Sequence, residues 1–234
     1  MDLFILSQVL IFGGGLAALL LHGKFSLMKA VSAAFICLGC LLGLYVSVNS
    51  LFGETARVSF QYLSSFSISF EVDSLSAFFL VAIFLISFLA TLYSYHYMTD
   101  SDKSLRVGAN YFFYSLLISS MALVVTASNM LTFMLSWELM SLSSFFLVIY
   151  NYEQKENREA GLLYFVFSQV GAMLILACFG LLSGYTSDLG FELTGQIPES
   201  AKILIFILGF VGFGSKAGVF PFHIWLPPAH PAAP

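Results

Sequence analysis

The sequence predicts an all-α protein, a polytopic bundle of about seven membrane-spanning helices with the seventh broken near Gly218 and Pro221. Three observations predict it. Of the 234 residues, 59% are hydrophobic and 9% charged, where soluble domains carry about 25% charged residues. Apolar runs of about 20 residues recur along the chain, enough for a helix rising 1.5 Å per residue to cross roughly 30 Å of hydrocarbon. Two of those runs each hold one charged side chain, Glu138 and Lys216, a pattern of membrane helices that face a polar interior.

Seven spans follow in order, at residues 3–21, 30–48, 75–95, 110–127, 131–150, 160–182 and 201–220. The first opens on MDLFILSQ, without a basic leader or a small-residue cleavage site, so it is expected to be retained as an anchor. The second carries Cys37 and Cys40 as a C-x-x-C. With no third ligand in reach on a lipid-depth helix, the two are read as small apolar packers, and no disulfide framework is implied. Between the second and third spans, RVSFQYLSSFSISFEV alternates apolar and polar residues and predicts a short hairpin outside the bilayer. Residues 1–74 thus read as N-terminal helices plus an extracytoplasmic hairpin-like loop, and 75–234 as the third helix plus a repeat of transporter type.

Basic residues set the expected orientation. Loops 22–29, 96–109 and 151–159 carry Lys24, Lys29, Lys103, Arg106, Lys155 and Arg158, while segments 49–74 and 183–202 carry only Arg57 and Lys202. The excess places the first set in the cytoplasm and the N-terminus outside. The net charge of −4 and the lack of a basic stripe give no reason to expect a nucleic-acid partner.

The seventh span differs in texture. Gly209, Gly212, Gly214 and Gly218 lead into Pro221, Pro227 and Pro228, and proline removes a backbone donor and clashes with the preceding turn. In lipid, a broken helix is tolerated where protein or a water-filled cavity satisfies the freed backbone groups, and interrupted helices are how many transporters build ion sites at mid-membrane. The competing reading is a helix that ends at the interface with Lys216 snorkelling outward.

An ionised group at mid-bilayer depth costs roughly 2.5–3.5 kcal/mol on insertion scales. Glu138 and Lys216, of opposite sign, are therefore expected to share a polar setting between neighbouring helices, their backbone levels differing by about 10 Å. Burial favours the neutral form of each and the opposite charge favours the ionised form, so the position of one governs the other's hold on a proton. A static ion pair that pins helices together is the alternative. His223 and His230, just past the break in PFHIWLPPAHPAAP, could extend a proton path, since histidine titrates near neutral pH. His22 reads as a solvated interfacial residue and His96, in YSYHYM, as part of an aromatic belt. G-x-x-x-G pairs at Gly39/Gly43 and Gly214/Gly218 suit close helix contact. No ligand set for a metal, haem or iron–sulfur cluster is legible, so no cofactor is expected in this chain.

These residues carry a resemblance. LTFMLSWELMSLSSFFLVIY resembles the fifth helix of the antiporter-like subunits of respiratory complex I and their relatives, and GFGSKAGVFPFHIWLPPAHPAAP is similar to the broken seventh helix and following loop of that superfamily. FEVDSLSAFFLVAIFLISFLATLYSYHYM is similar to its N-terminal segment, with Asp-x-Leu-Ser opening the third helix. The wording KAGVFPFHIWLPPAHPAAP most resembles the large membrane subunit of formate hydrogenlyase and related energy-converting hydrogenases, and Mrp-type sodium/proton antiporter subunits less closely.

The resemblance implies a multi-pass, non-catalytic, proton-translocating subunit in a bacterial or archaeal cell membrane. It implies coupling to NADH, formate or hydrogenase chemistry in partner subunits, with Glu138 and Lys216 in the input half of the proton path. An Mrp-type sodium/proton antiporter subunit and a non-transporting membrane anchor are the alternatives. In the superfamily further helices and a second half-channel follow. This sequence stops at Pro234, so a fragment, or a separate chain supplying the missing helices, is expected.

Overall fold

The computed structural model describes all residues except 54, 64–65, 100 and 188. Its helices are α1 (Asp2–Leu20), α2 (Phe25–Leu51), α3 (Ser74–Tyr97), α4 (Ser104–Thr126), α5 (Met130–Val148), α6 (Lys155–Leu182), α7 (Glu199–Ala217) and the short α8 (Leu226–Ala232). Among the described residues, seven helical segments are long and apolar enough to cross a membrane, and the chain is an integral membrane protein. Strands β1 (Ala56–Leu63) and β2 (Phe66–Val72) pair in a two-stranded sheet where the alternating pattern predicts a hairpin. Arg57 and Glu71 join across it at 3.4 Å.

Three helices start earlier than the apolar runs predict. α2 begins at Phe25 rather than at 30, α4 at Ser104 rather than at 110, and α6 at Lys155 rather than at 160. Hydropathy marks where lipid begins, whereas backbone hydrogen bonding continues through the polar turns beyond it. α6, with 28 residues, rises about 42 Å and so outruns the hydrocarbon at its ends.

The chain divides into two compact units, one of Met1–Ser59 with Ser69–Ala127, the other of Phe60–Ile68 with Ser128–Pro234. In the first, α1 and α2 approach closely at Gly39, where an added Cβ would lie 2.9 Å from the Ser7 carbonyl oxygen. The Ser7 hydroxyl donates to the Gly39 carbonyl at 2.7 Å, closing the same contact with a hydrogen bond. Gly43, one turn on, faces the ring of Phe84 on α3. Phe4, Ile11, Ile36, Phe84, Val107 and Ile118 fill this unit's interior.

Asp73 caps α3, its Oδ1 accepting from the Ser76 backbone N–H at 2.7 Å. That bond holds the carboxyl below its ordinary range. A depressed carboxyl stabilises the fold above the ordinary range, and the contribution is lost as pH falls through the folded value. Asp73→Ala should therefore cost about 1 kcal/mol at neutral pH, the usual worth of an N-cap. Melting curves of the two proteins should converge on acidification, and a gap that persists in acid would contradict this.

The second unit packs α5, α7 and α8 around α6. It contains the helix break that the sequence predicts. α7 stops at Ala217, with Gly218 in the left-handed region at φ 72° and the Val219 N–H returning to the Gly214 carbonyl at 3.0 Å. That conformation is open to glycine at little cost, and it satisfies a carbonyl that the end of the helix would otherwise leave bare. The chain then turns through Phe222–Trp225 and resumes as α8.

Candidate functional site

Glu138 lies midway along α5, and its environment is set by which faces of α6 and α7 reach it. α6 and α7 meet at a pair of glycines. A Cβ on Gly171 would lie 3.0 Å from the Gly212 carbonyl oxygen, and one on Gly212 would lie 3.0 Å from the Gly171 carbonyl oxygen. Next to this contact the Ser215 hydroxyl donates to the Phe167 carbonyl at 2.9 Å. Backbone proximity there brings Lys216, the next residue along α7, against α6.

The Lys216 ammonium donates to the Tyr164 hydroxyl at 2.6 Å and to the Ser141 hydroxyl at 3.1 Å. It also lies 4.9 Å from the Tyr164 ring centroid and 6.0 Å from that of Trp137. Glu138 Oε2 accepts from the Gln169 amide at 3.0 Å. The two charges thus have separate neutral partners and form no direct ion pair. Ion pairs form elsewhere, at Arg57–Glu71, Lys155–Glu159 and Lys202–Glu199. A static Glu138–Lys216 clamp is not what holds these helices together. Ser141 nevertheless sits three residues after Glu138 on the same face of α5. The ammonium therefore lies about one helical turn, roughly 5 Å of rise, from the level of the carboxylate. Both charged side chains are half-buried.

Aromatic rings close the site along α5. Phe133 stacks on Trp137 at 5.4 Å and meets Phe179 and Phe213 edge-on at 5.6 and 5.9 Å, tying α5 to α6 and α7. On the other side the segment after the break folds back. The Trp225 indole N–H donates to the Ser215 carbonyl at 2.8 Å, and its ring meets Tyr164 edge-on at 5.2 Å. Ala229 and Ala232 of α8 pack with Val148, Ala160 and Tyr164 in a buried cluster.

The other expected site residues stand apart from this contact set. His223 is half-buried, its Nδ1 enclosed and without a hydrogen-bond partner among the described residues, with the ring 5.5 Å from that of Phe220. His230 is exposed on α8. Among the described residues no three His, Cys, Asp or Glu side chains gather as a metal-holding group. Sequence reasoning missed Gln169, Tyr164 and Ser141. Gln169 was detectable as the one amide inside the sixth apolar span, and Ser141 by its spacing from Glu138; nothing in the sequence singles out Tyr164.

Comparison with known proteins agrees with the membrane-helix fold. Residues 127–234 match the family described as "NADH:quinone oxidoreductase/Mrp antiporter, TM", and residues 59–113 match "NADH-Ubiquinone oxidoreductase (complex I), chain 5 N-terminus". Hydrogenase-4 component B of Escherichia coli is 35% identical over 232 residues, 97% of this chain and 34% of that protein. A putative antiporter subunit of Staphylococcus saprophyticus is 32% identical across 75% of this chain and 22% of its own length. A chain in a solved structure described as "the membrane-bound sulfane sulfur reductase (MBS), an archaeal respiratory membrane complex" superposes with a TM-score of 0.79. It is 27% identical and covers 96% of this chain and 35% of that one. The chain spans about a third of the length of the first of these relatives.

Proposed function

Because the chain belongs to the family of NADH:quinone oxidoreductase and Mrp antiporter membrane subunits, we propose that it supplies part of a proton path in a redox-driven membrane complex. The observation that carries this reading is the setting of Lys216. An ammonium inside a membrane span, beside a helix break and held by two hydroxyls rather than by a carboxylate, can exchange its proton without first breaking an ion pair. Glu138, one turn away and fixed by Gln169, is the acid that exchanges with it. Movement of Lys216 towards Glu138 lowers the carboxylate's hold on a proton, and its return to Tyr164 and Ser141 raises that hold.

His223, with its enclosed and unpaired ring nitrogen, is the next station in this reading. His230 on α8 lies further along the same re-entrant segment. The N-terminus is placed outside the cell, as the basic loops imply. Neighbouring membrane and peripheral subunits supply the electron-transfer chemistry from NADH, formate or hydrogen, and this chain holds no cofactor of its own. A second reading, a sodium/proton antiporter subunit, is favoured by the likeness to the Staphylococcus antiporter subunit.

Proton and sodium uptake by inverted membrane vesicles that contain the chain with its native partner subunits separates these. The redox-driven reading expects proton uptake that requires the electron donor and is indifferent to sodium. Tyr164→Phe, which removes one hydrogen bond to the ammonium, should slow it about tenfold, the effect of roughly 1.4 kcal/mol. Sodium-dependent exchange without any electron donor supports the antiporter. Uptake unchanged by Tyr164→Phe would remove the role given to the Lys216 cage.

A further inference from the structure

In the first compact unit, the start of α2 and the end of α3 enclose a cavity of about 260 Å³ lined by Phe25, Ser26, Lys29, Tyr95 and His96. Lys29 is half-buried, and its ammonium donates to the Met98 carbonyl at 2.6 Å between the rings of Phe25 and Tyr95, 5.2 and 5.1 Å away. An ammonium has three donors. The remaining two have no hydrogen-bond partner among the described residues, nor has the Ser26 hydroxyl. The His96 ring meets the edge of Tyr95. No described carboxylate lines the cavity. Asp102, at the nearby entry to α4, is not among its residues.

Depth decides what could fill it. Phe25 and Ser26 are the first residues of one membrane-length helix, while Tyr95 and His96 are among the last of another. The cavity therefore sits at a span end, at the level where lipid headgroups meet water, with Lys24 beside it. A cation, a hydroxyl and an imidazole facing one space suit a tetrahedral oxyanion, and the aromatic walls suit the less polar atoms attached to it. We propose that this cavity binds a phosphate group, presented by the headgroup of an acidic phospholipid.

The test is titration of the detergent-solubilised chain with phosphatidylglycerol, phosphatidylcholine or inorganic phosphate, with bound molecules counted by native mass spectrometry. Phosphatidylglycerol should bind in preference to phosphatidylcholine. Lys29→Gln should weaken it roughly tenfold, the loss of one charge-assisted contact. Because Lys29 also ties α2 to Met98, Ser26→Asp provides a check that a folding defect cannot imitate. An acid in the first turn of a helix favours the helix, yet a carboxylate in the cavity repels phosphate. Ser26→Asp should thus keep or raise the melting temperature while lowering phosphatidylglycerol affinity by about tenfold or more. Binding of inorganic phosphate as tight as that of phosphatidylglycerol would keep the phosphate site but assign it to the free ion. Equal binding of both lipids, or phosphatidylglycerol affinity untouched by Ser26→Asp, would overturn the proposal.

Discussion

Lys216→Met is expected to reduce proton uptake by at least about a hundredfold, the scale on which a proton-transfer group contributes to rate. The chain should still accumulate, folded, in the membrane. Methionine approximates the length and volume of the lysine stem, so α7 can still pack on α6 through Gly171, Gly212 and Ser215. Two energetic effects oppose each other. Tyr164 and Ser141 lose their donor, at about 1–3 kcal/mol for each hydroxyl left unsatisfied, less where the two rearrange or meet water. Removing a half-buried charge recovers a desolvation penalty of several kcal/mol. The melting temperature should therefore move little while uptake collapses. Uptake within twofold of wild type would show that protons bypass the lysine.

Gly212→Leu should be the most disruptive single change in the second unit. The Cβ alone would lie 2.7 Å from Ile175 Cγ1 and 3.0 Å from the Gly171 carbonyl oxygen, which belongs to a helix backbone and cannot swing aside. Overpacking of this kind typically costs 1–3 kcal/mol and forces the helices apart. Separation of α6 from α7 would take Lys216 out of reach of Tyr164, so proton uptake should fall along with stability. Gly214→Ala is the control. Its nearest neighbour would be Val219 Cβ at 3.6 Å, ordinary contact distance. The loss of a helical glycine there should be neutral or stabilising by up to about 1 kcal/mol. Melting temperatures and uptake of the two variants should therefore move in clearly different degrees. Equal effects would refute the role given to the Gly171–Gly212 contact.

This glycine contact also shows what could be read in the sequence. Spans are legible because lipid imposes a length and a composition, and the hairpin is legible because alternation has a period. Gly39/Gly43 was a sound motif, with Gly39 against α1 and Gly43 against Phe84. Gly214/Gly218 was not a packing pair: Gly214 has space around it, and Gly218 ends the helix. The G-x-x-x-G spacing identifies two residues on one face of one helix. It cannot register that the close approach is made by Gly171 and Gly212 on two different helices.

Likewise the two charges announced themselves by their cost, but their partners did not. Tyr164 and Gln169 lie on α6, between the elements that carry the charges. An aromatic hydroxyl in a membrane span looks like any other packing side chain until the fold aims it. The estimated 10 Å between backbone levels left out the reach of a lysine, whose ammonium here ends at Ser141, three residues along α5 from Glu138.

The most direct test of the central proposal, that Glu138 and Lys216 act as one proton-exchanging unit, is a double-variant cycle on proton uptake. It compares Glu138→Gln, Lys216→Met and the two combined in the same vesicles. Groups that serve a single step lose function together, so the combined variant should be no slower than the slower single one. Losses that multiply, or a Glu138→Gln variant that pumps like wild type, would contradict it.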